Sequence, residues 1–213
     1  MGRCSTSAAA FKVKIKYMTV HTFGDSHAYC GWSEVTTNHL GAYLCYSFGR
    51  DNYICDIRNN PSIKDGDTLI FCFGEIDCRC HIRKHVSLLV KYQLIIDNIV
   101  NNYIKTIKLN ISTSQLKLRN VCIYNVVPPV QKHTIDESAE YPHLGTDEER
   151  KQYVLYFNKK LKEKCAENGY IFFDVYDKYV DENGFLRKDL SDGNVHIGDG
   201  THITNFMLTH NIR

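Results

Sequence analysis

Short apolar runs alternate with longer amphipathic stretches along this chain of 213 residues, and this alternation restricts its fold more than any other feature. Several runs are too apolar to alternate between a buried and an exposed face, as expected for a parallel sheet that is covered on both faces. The predicted strands cover residues 17–23, 34–40, 68–73, 120–127 and 170–175. The pattern is typical of an α/β domain.

Two of the intervening stretches repeat apolar residues at helical spacing, residues 86–100 and residues 154–165. Residues 146–149 (Thr-Asp-Glu-Glu) resemble a capping box that begins the second helix, and Asn168-Gly169 is typical of its end. The stretch from Pro128 to Gly145 has no periodicity. We expect it to be a loop at the functional edge of the sheet, because long irregular loops in compact domains are often functional.

The composition is that of an ordinary globular protein. Hydrophobic residues make up 43% and charged residues 23% of the chain, and a formal net charge of +2 gives no general attraction for nucleic acid. The nine cysteines are odd in number and many lie inside apolar runs, which favours reduced thiols in a cytoplasmic compartment. No apolar stretch approaches the roughly 18 residues that span a bilayer, so we expect no membrane partner.

The two ends of the chain differ from its middle. Residues 1–16 have a different composition, and we predict that they are an added or disordered segment before a domain that covers residues 17–213. The last residues carry no helix stop signal, which favours a domain taken from a longer protein.

Chemically active residues follow the predicted strands in order. Gly24-Asp25-Ser26 follows the first strand, and a segment near the C-terminus contains two Asp/His pairs, Asp192 with His196 and Asp199 with His202. A serine becomes a nucleophile when an imidazole accepts its proton, and that imidazole needs an acceptor on its other nitrogen. Ser26 with one of these pairs therefore predicts acyl-transfer chemistry.

The order of motifs resembles the SGNH (GDSL-type) hydrolase superfamily over roughly residues 17 to 206. Further matches are Gly41 after the second strand, Gly74-Glu75-Ile76-Asp77 after the third and Val127-Pro128-Pro129 after the fourth. The resemblance implies a single three-layer α/β/α domain with a flavodoxin-like, five-stranded parallel sheet. It also implies Ser26 as nucleophile, with the backbone amides of Ser26 and Gly41 holding the oxyanion and Gly49 as the alternative to Gly41.

The family spacing Asp-x-x-His favours Asp199 and His202 as the catalytic pair. Asp192 and His196 are the alternative pair, and they are separated by one residue more.

The third block departs from the family pattern Gly-x-Asn-Asp, because Ile76 stands where the family has an oxyanion-donating asparagine. Removal of such a donor typically costs about 100- to 1,000-fold in turnover. We expect Arg79 or a further backbone amide to replace it, and we assign Asp25, Gly74 and Asp77 to oxyanion or substrate binding. An alternative is that Glu75 and Asp77 only cap the following helix.

The changed block favours a transferase. Glu75 can bind the ammonium group of an amino sugar and take up its proton as the nitrogen attacks an acyl-Ser26. The leading prediction is therefore a serine-dependent acetyltransferase with acetyl-CoA as donor and a carbohydrate or nucleotide sugar as acceptor, fused to a further glycan-modifying domain. The alternatives are a carbohydrate O-acetyl esterase and an inactive sugar-binding module.

A zinc site is the last alternative. Residues 78–81 (Cys-Arg-Cys-His) and His85 are ligand types that zinc accepts, but structural zinc sites favour two residues between cysteines rather than one. We therefore predict no metal.

Overall fold

The computed structural model describes residues 18–134 and 139–212, so the predicted N-terminal segment 1–16 lies outside the described residues. Five parallel strands form one sheet in the order β2-β1-β3-β4-β5. They are β1 (Val20–Gly24), β2 (Thr36–His39), β3 (Thr68–Cys72), β4 (Asn120–Tyr124) and β5 (Ile171–Phe173). The predicted parallel five-stranded α/β fold is confirmed.

Helices connect and cover the strands. They are α1 (Cys45–Arg50), α2 (Ile82–His85), α3 (Tyr92–Ser114), α4 (Asp147–Asn168), α5 (Tyr176–Tyr179) and α6 (Thr201–Thr209). Short 3₁₀ turns occur at Ser26–Ala28, Lys132–Thr134 and Lys188–Leu190, and a π-helical turn at Asp77–His81 leads into α2.

The two faces of the sheet are buried under different elements. Leu69 and Phe71 of β3 belong to a core with Phe48 of α1, Tyr103 of α3 and Phe157 of α4. The alternate residues of β3, Ile70 and Cys72, belong to a second core with α6 and the segment around Val195. Successive side chains of a strand point to opposite faces, so an apolar run such as Thr68–Cys72 serves both cores.

The predicted ends of α4 are confirmed. The Thr146 hydroxyl accepts the backbone N–H of Glu149, and the Glu149 carboxylate accepts the backbone N–H of Thr146. Gly169 ends the helix with a φ of 69°, a conformation in which other residues are strained.

The prediction for residues 86–100 is wrong at its N-terminal end. The Ser87 hydroxyl accepts the backbone N–H groups of Leu89 and Val90, which makes a local turn, and α3 begins only at Tyr92. A serine that binds its own neighbouring backbone competes with helix formation. The helix continues to Ser114, beyond the predicted end.

The described cysteines are free, and most of them are buried. Among the described helices, none combines the length and apolar character needed to cross a membrane.

Asp77 connects the π-helical turn to α1. Its fully buried carboxylate accepts the backbone N–H groups of Cys45 at 2.7 Å and Tyr46 at 3.0 Å, at the first residues of α1. Burial raises the pKa of Asp77 to about 7, although the two backbone N–H groups act in the opposite direction. The assignment of Asp77 to oxyanion or substrate binding is therefore corrected, because its two oxygens hold a neighbouring helix.

We expect Asp77→Ala to lower the free energy of unfolding by about 1–3 kcal/mol, because it leaves two N–H groups at the start of α1 without their acceptor. Urea unfolding followed by circular dichroism measures the loss. The matched control is Asp51→Ala at the other end of α1, where Asp51 pairs with Arg50 at the surface and the loss should stay below about 1 kcal/mol. Equal losses in the two variants would contradict the capping role.

Candidate active site

Ser26 leaves the sheet directly after β1. Asp25 precedes the 3₁₀ turn that begins at Ser26, and its Oδ1 accepts the backbone N–H of His27 at 2.9 Å. The Thr22 hydroxyl donates to the carbonyl of Ala28 at 2.6 Å and ties the turn back to the strand. This turn holds Ser26 at the carboxyl edge of the sheet, where open α/β sheets bind their ligands. The residue is only partly buried, so its hydroxyl is accessible there.

His196 meets this hydroxyl from the C-terminal part of the chain. Its Nε2 lies 2.7 Å from Oγ of Ser26, and its Nδ1 lies 2.8 Å from Oδ2 of Asp192. With Nδ1 protonated and donating to Asp192, Nε2 is free to accept the serine proton. The three side chains have the connectivity of a serine nucleophile, its base and the acceptor that orients the base.

A closed loop places Asp192 and His196 on the same side. Ser191 pairs with Ile197 in an isolated antiparallel bridge, and the backbone N–H of Asp192 donates to the carbonyl of His196 at 3.1 Å. Gly193, at a φ of 87°, makes the turn between them. The extra residue in the spacing is accommodated by this turn.

The surroundings favour a neutral base and an ionised acceptor. Burial and then the charge of His27 lower the pKa of His196, against the effect of Asp192. Burial opposes ionisation of Asp192, but hydrogen bonds from His196 and from the backbone N–H of Asn194 hold its pKa below the usual range. At neutral pH His196 can therefore accept a proton.

The prediction that Asp199 and His202 form the catalytic pair is corrected. Oδ1 of Asp199 accepts the backbone N–H of Thr201 at 2.8 Å, at the start of α6. The His202 ring packs edge-on against Tyr179, with ring centroids 5.4 Å apart. The pair has the family spacing but belongs to the start of a helix, and the structure brings the alternative pair to Ser26 instead.

Glu75 and Arg79 bind each other. The Arg79 guanidinium donates to both carboxylate oxygens of Glu75, at 2.7 and 3.0 Å, and to the carbonyl of Tyr141 at 2.6 Å. Burial opposes ionisation of Glu75, but Arg79, followed by His27 and His143, holds its pKa below the usual range. Glu75 is thus an ionised partner of Arg79, which corrects its assignment as a proton acceptor. Arg79 is held by the same ion pair, which corrects its assignment as a replacement oxyanion donor.

Of the two glycines that were candidates for the oxyanion site, Gly41 lies at the sheet edge and Gly49 is a packing residue. The N–H of Leu40 donates to the carbonyl of Gly24 at 2.8 Å, which places Gly41, at a φ of 79°, beside the Ser26 turn. Gly49 lies against α3 instead, where a Cβ would come within 2.9 Å of Asn102, so its role as an alternative is corrected.

Gly74 and Ile76 are packing positions. A Cβ on Gly74 would come within 2.8 Å of Val126. Ile76, which occupies the position of the family asparagine, is buried and apolar. The carboxylate of Asp25 faces His27.

The zinc-type residues that the sequence suggested do not form a ligand cluster. Among the described residues, one group of three has ligand atoms within 4.8 Å of one another, and it consists of Cys30, Asp192 and His196. Cys78 and Cys80 are buried at the π-helical turn. Burial, with Asp192 and Asp25, raises the pKa of Cys30 to about 11, so its thiol is protonated beside the site.

Sequence reasoning missed the role of His27. Its ring centroid lies 4.9 Å from that of His196, and its side chain is buried between Asp25 and the backbone of Val195. The signal in the sequence was a titratable side chain directly after the candidate nucleophile, but the partner at Val195 is 168 residues away.

No family model and no curated protein matches this sequence. Solved structures do match. A GDSL-like lipase from Bacteroides thetaiotaomicron is 15% identical, with a TM-score of 0.59 over 91% of this chain and 87% of the lipase. The native aryl esterase of M. smegmatis is 9% identical, with a TM-score of 0.54 over 92% of this chain and 100% of the esterase.

Identities this low show the fold rather than the activity. The likeness extends over nearly the whole of each chain. The chain therefore has the α/β fold of the SGNH (GDSL-type) hydrolase superfamily.

Proposed function

We propose that this protein is a serine-dependent carboxylic-ester hydrolase that acts through an acyl-Ser26 intermediate. The observation that carries the proposal is the continuous chain of hydrogen bonds from Ser26 Oγ through His196 to Asp192, at 2.7 and 2.8 Å. Two of the structural neighbours are named as a lipase and an aryl esterase, which agrees with ester substrates.

The geometry defines the steps. Ser26 Oγ attacks the acyl carbonyl carbon as its proton passes to Nε2 of His196, and Asp192 stabilises the imidazolium that forms. The tetrahedral intermediate collapses when the alcohol oxygen leaves with that proton, which gives the acyl-serine. Water then repeats the sequence: it loses a proton to His196, attacks the acyl carbon and releases the carboxylic acid and the free serine.

A groove with polar and apolar walls lies next to the catalytic loop, and we propose that it receives the leaving group of the ester. The groove has a volume of about 230 Å³ and lies against Ser191, Gly193 and Asn194 of that loop. Its other walls include Gln131, Lys188 and the ring of Phe185. Hydrogen-bonding side chains such as Gln131, Lys188 and Asn194 suit the ester of a sugar hydroxyl better than the ester of a long-chain alcohol.

The reason for preferring transfer from acetyl-CoA to an amino sugar is removed. That preference required Glu75 to bind an ammonium group and take up its proton. Glu75 instead accepts two hydrogen bonds from Arg79, and the arginine keeps the carboxylate ionised. The hydrolase needs neither a free carboxylate nor a second substrate other than water.

An inactive sugar-binding module is also less well supported. A protein that only binds sugar has no need for a serine, a histidine and an aspartate aligned through both ring nitrogens.

We expect incubation with an aryl acetate to add one acetyl group to Ser26, because His196 can accept the hydroxyl proton. Intact mass spectrometry after a rapid acid quench, followed by peptide mapping, detects the adduct. Ser26→Ala should abolish it. The matched control is Cys30→Ser, which should keep it, because an adduct on the partly buried Cys30 has the same mass.

Acetyl-CoA, with and without glucosamine, forms the second arm of this experiment. An adduct that forms from the aryl ester and is cleared by water supports the hydrolase. An adduct that forms from acetyl-CoA and is discharged only by the amine would contradict the hydrolase and restore the transferase.

We expect Asp192→Asn to reduce the aryl-ester kcat by up to about 10⁴-fold, because an amide in this position favours the wrong tautomer of His196. Asp199→Asn is the matched control, and it should leave kcat within about twofold because Asp199 only binds the start of α6. Steady-state hydrolysis at pH 8 measures both rates. A larger loss in Asp199→Asn would assign the chemistry to the other pair.

A further inference from the structure

His27 is held between two acceptors. Its Nδ1 lies 3.0 Å from Oδ1 of Asp25, and its Nε2 lies 3.3 Å from the carbonyl oxygen of Val195. The residue is 6% exposed, so water does not replace these partners. A neutral imidazole has one N–H and can satisfy one acceptor, whereas the doubly protonated ring satisfies both.

The charges around His27 favour the same state. Asp25 is fully buried, and its second oxygen, Oδ2, has no hydrogen-bond partner among the described residues. A buried carboxylate is stable when a cation compensates it, and His27 is in direct contact. Burial lowers the pKa of His27, but Asp25, Glu75 and the Val195 carbonyl together raise it above its ordinary value.

The contact with Val195 also joins two distant parts of the site. Val195 directly precedes His196, and His27 directly follows Ser26. The hydrogen bond therefore connects the backbone beside the nucleophile with the backbone beside the base. The two rings lie 4.9 Å apart between centroids, which is close enough for a charge on one to act on the other.

We propose that His27 is a positioning residue, a buried imidazolium that ties the Ser26 turn to the segment of His196 and keeps the base unprotonated by its positive charge. The proposal rests on the hydrolase function proposed above. It gives the second histidine beside Ser26, after His196, a defined task.

Several other groups face these two rings. His196 faces Asp192 on its own loop, Ser26 and His27 on the turn after β1, and Cys30 nearby, and Glu75 after β3 also acts on it. Asp192 and Glu75 raise the pKa of His196, whereas burial and His27 lower it. Loss of the His27 charge therefore moves the protonation of His196 to higher pH.

The test is the pH dependence of aryl-ester kcat/KM, whose acid limb reports protonation of His196. We expect His27→Gln to move this limb upward by about one pH unit, because the like charge is gone. The double variant Asp25→Asn/His27→Gln removes the carboxylate together with the cation, so it should show a smaller shift in the same direction without leaving a buried carboxylate uncompensated. His202→Gln, a histidine of the same chain away from Ser26, is the matched control and should leave the limb in place.

The hydrogen bond between His27 and the Val195 carbonyl has a separate readout. His27→Ala should lower the plateau kcat by about tenfold through loss of alignment, and His27→Gln should recover most of it, because its amide can donate to Val195. An equal loss of kcat in the two variants would contradict a role for this hydrogen bond in alignment.

Nitrogen NMR of the imidazoles in Ser26→Ala measures both histidines without turnover. His27 should remain doubly protonated over the pH range in which His196 titrates, and His196 should titrate about one unit higher when His27 is replaced. A neutral His27 across this range, or an unmoved His196, overturns the proposal. If these shifts occur while the wild-type protein hydrolyses no ester, the proposed function fails and the role of His27 stands.

Discussion

The close approach of β1 and β3 at Gly24 is the constraint on which the candidate site depends. Gly24 is paired with Cys72 in the parallel register, and a Cβ at position 24 would come within 2.0 Å of the Cys72 carbonyl oxygen. Only glycine allows the two strands to end side by side here. Ser26 and Glu75 follow these two strand ends within three residues, so the register of the sheet decides where the nucleophile stands.

Each carboxylate near this edge has its own partner, and the partners differ in kind. Asp25 faces His27, Glu75 binds Arg79, Asp77 caps α1, and Asp192 orients His196. Paired in this way, Asp25, Glu75 and Asp77 do not place uncompensated negative charge beside a developing oxyanion. This explains how a chain with two acids around Ile76 can keep a serine-based site.

Apart from β2, whose residues are polar and mostly exposed, the strands could be predicted from local apolar runs. The capping box of α4 is equally local, because a Thr and a Glu three residues apart satisfy each other's backbone. The start of α3 could not be predicted, because the apolar spacing from Val86 continues through a turn that the Ser87 hydroxyl stabilises. The roles of Glu75 and Asp77 were also hidden. Their partners, Arg79 and the start of α1, decide whether a carboxylate binds substrate or holds the fold.

The α/β class, the succession of strands along the chain and Ser26 as the candidate nucleophile could all be inferred from the amino-acid sequence. These follow from periodicity and from a short motif at a strand end. Which histidine meets Ser26 depends on contacts between distant segments, because a one-residue difference in spacing does not tell the two Asp/His pairs apart. The closed loop from Ser191 to Ile197 brings His196 across 170 positions of sequence to Ser26, while the start of α6 keeps Asp199 for its own backbone.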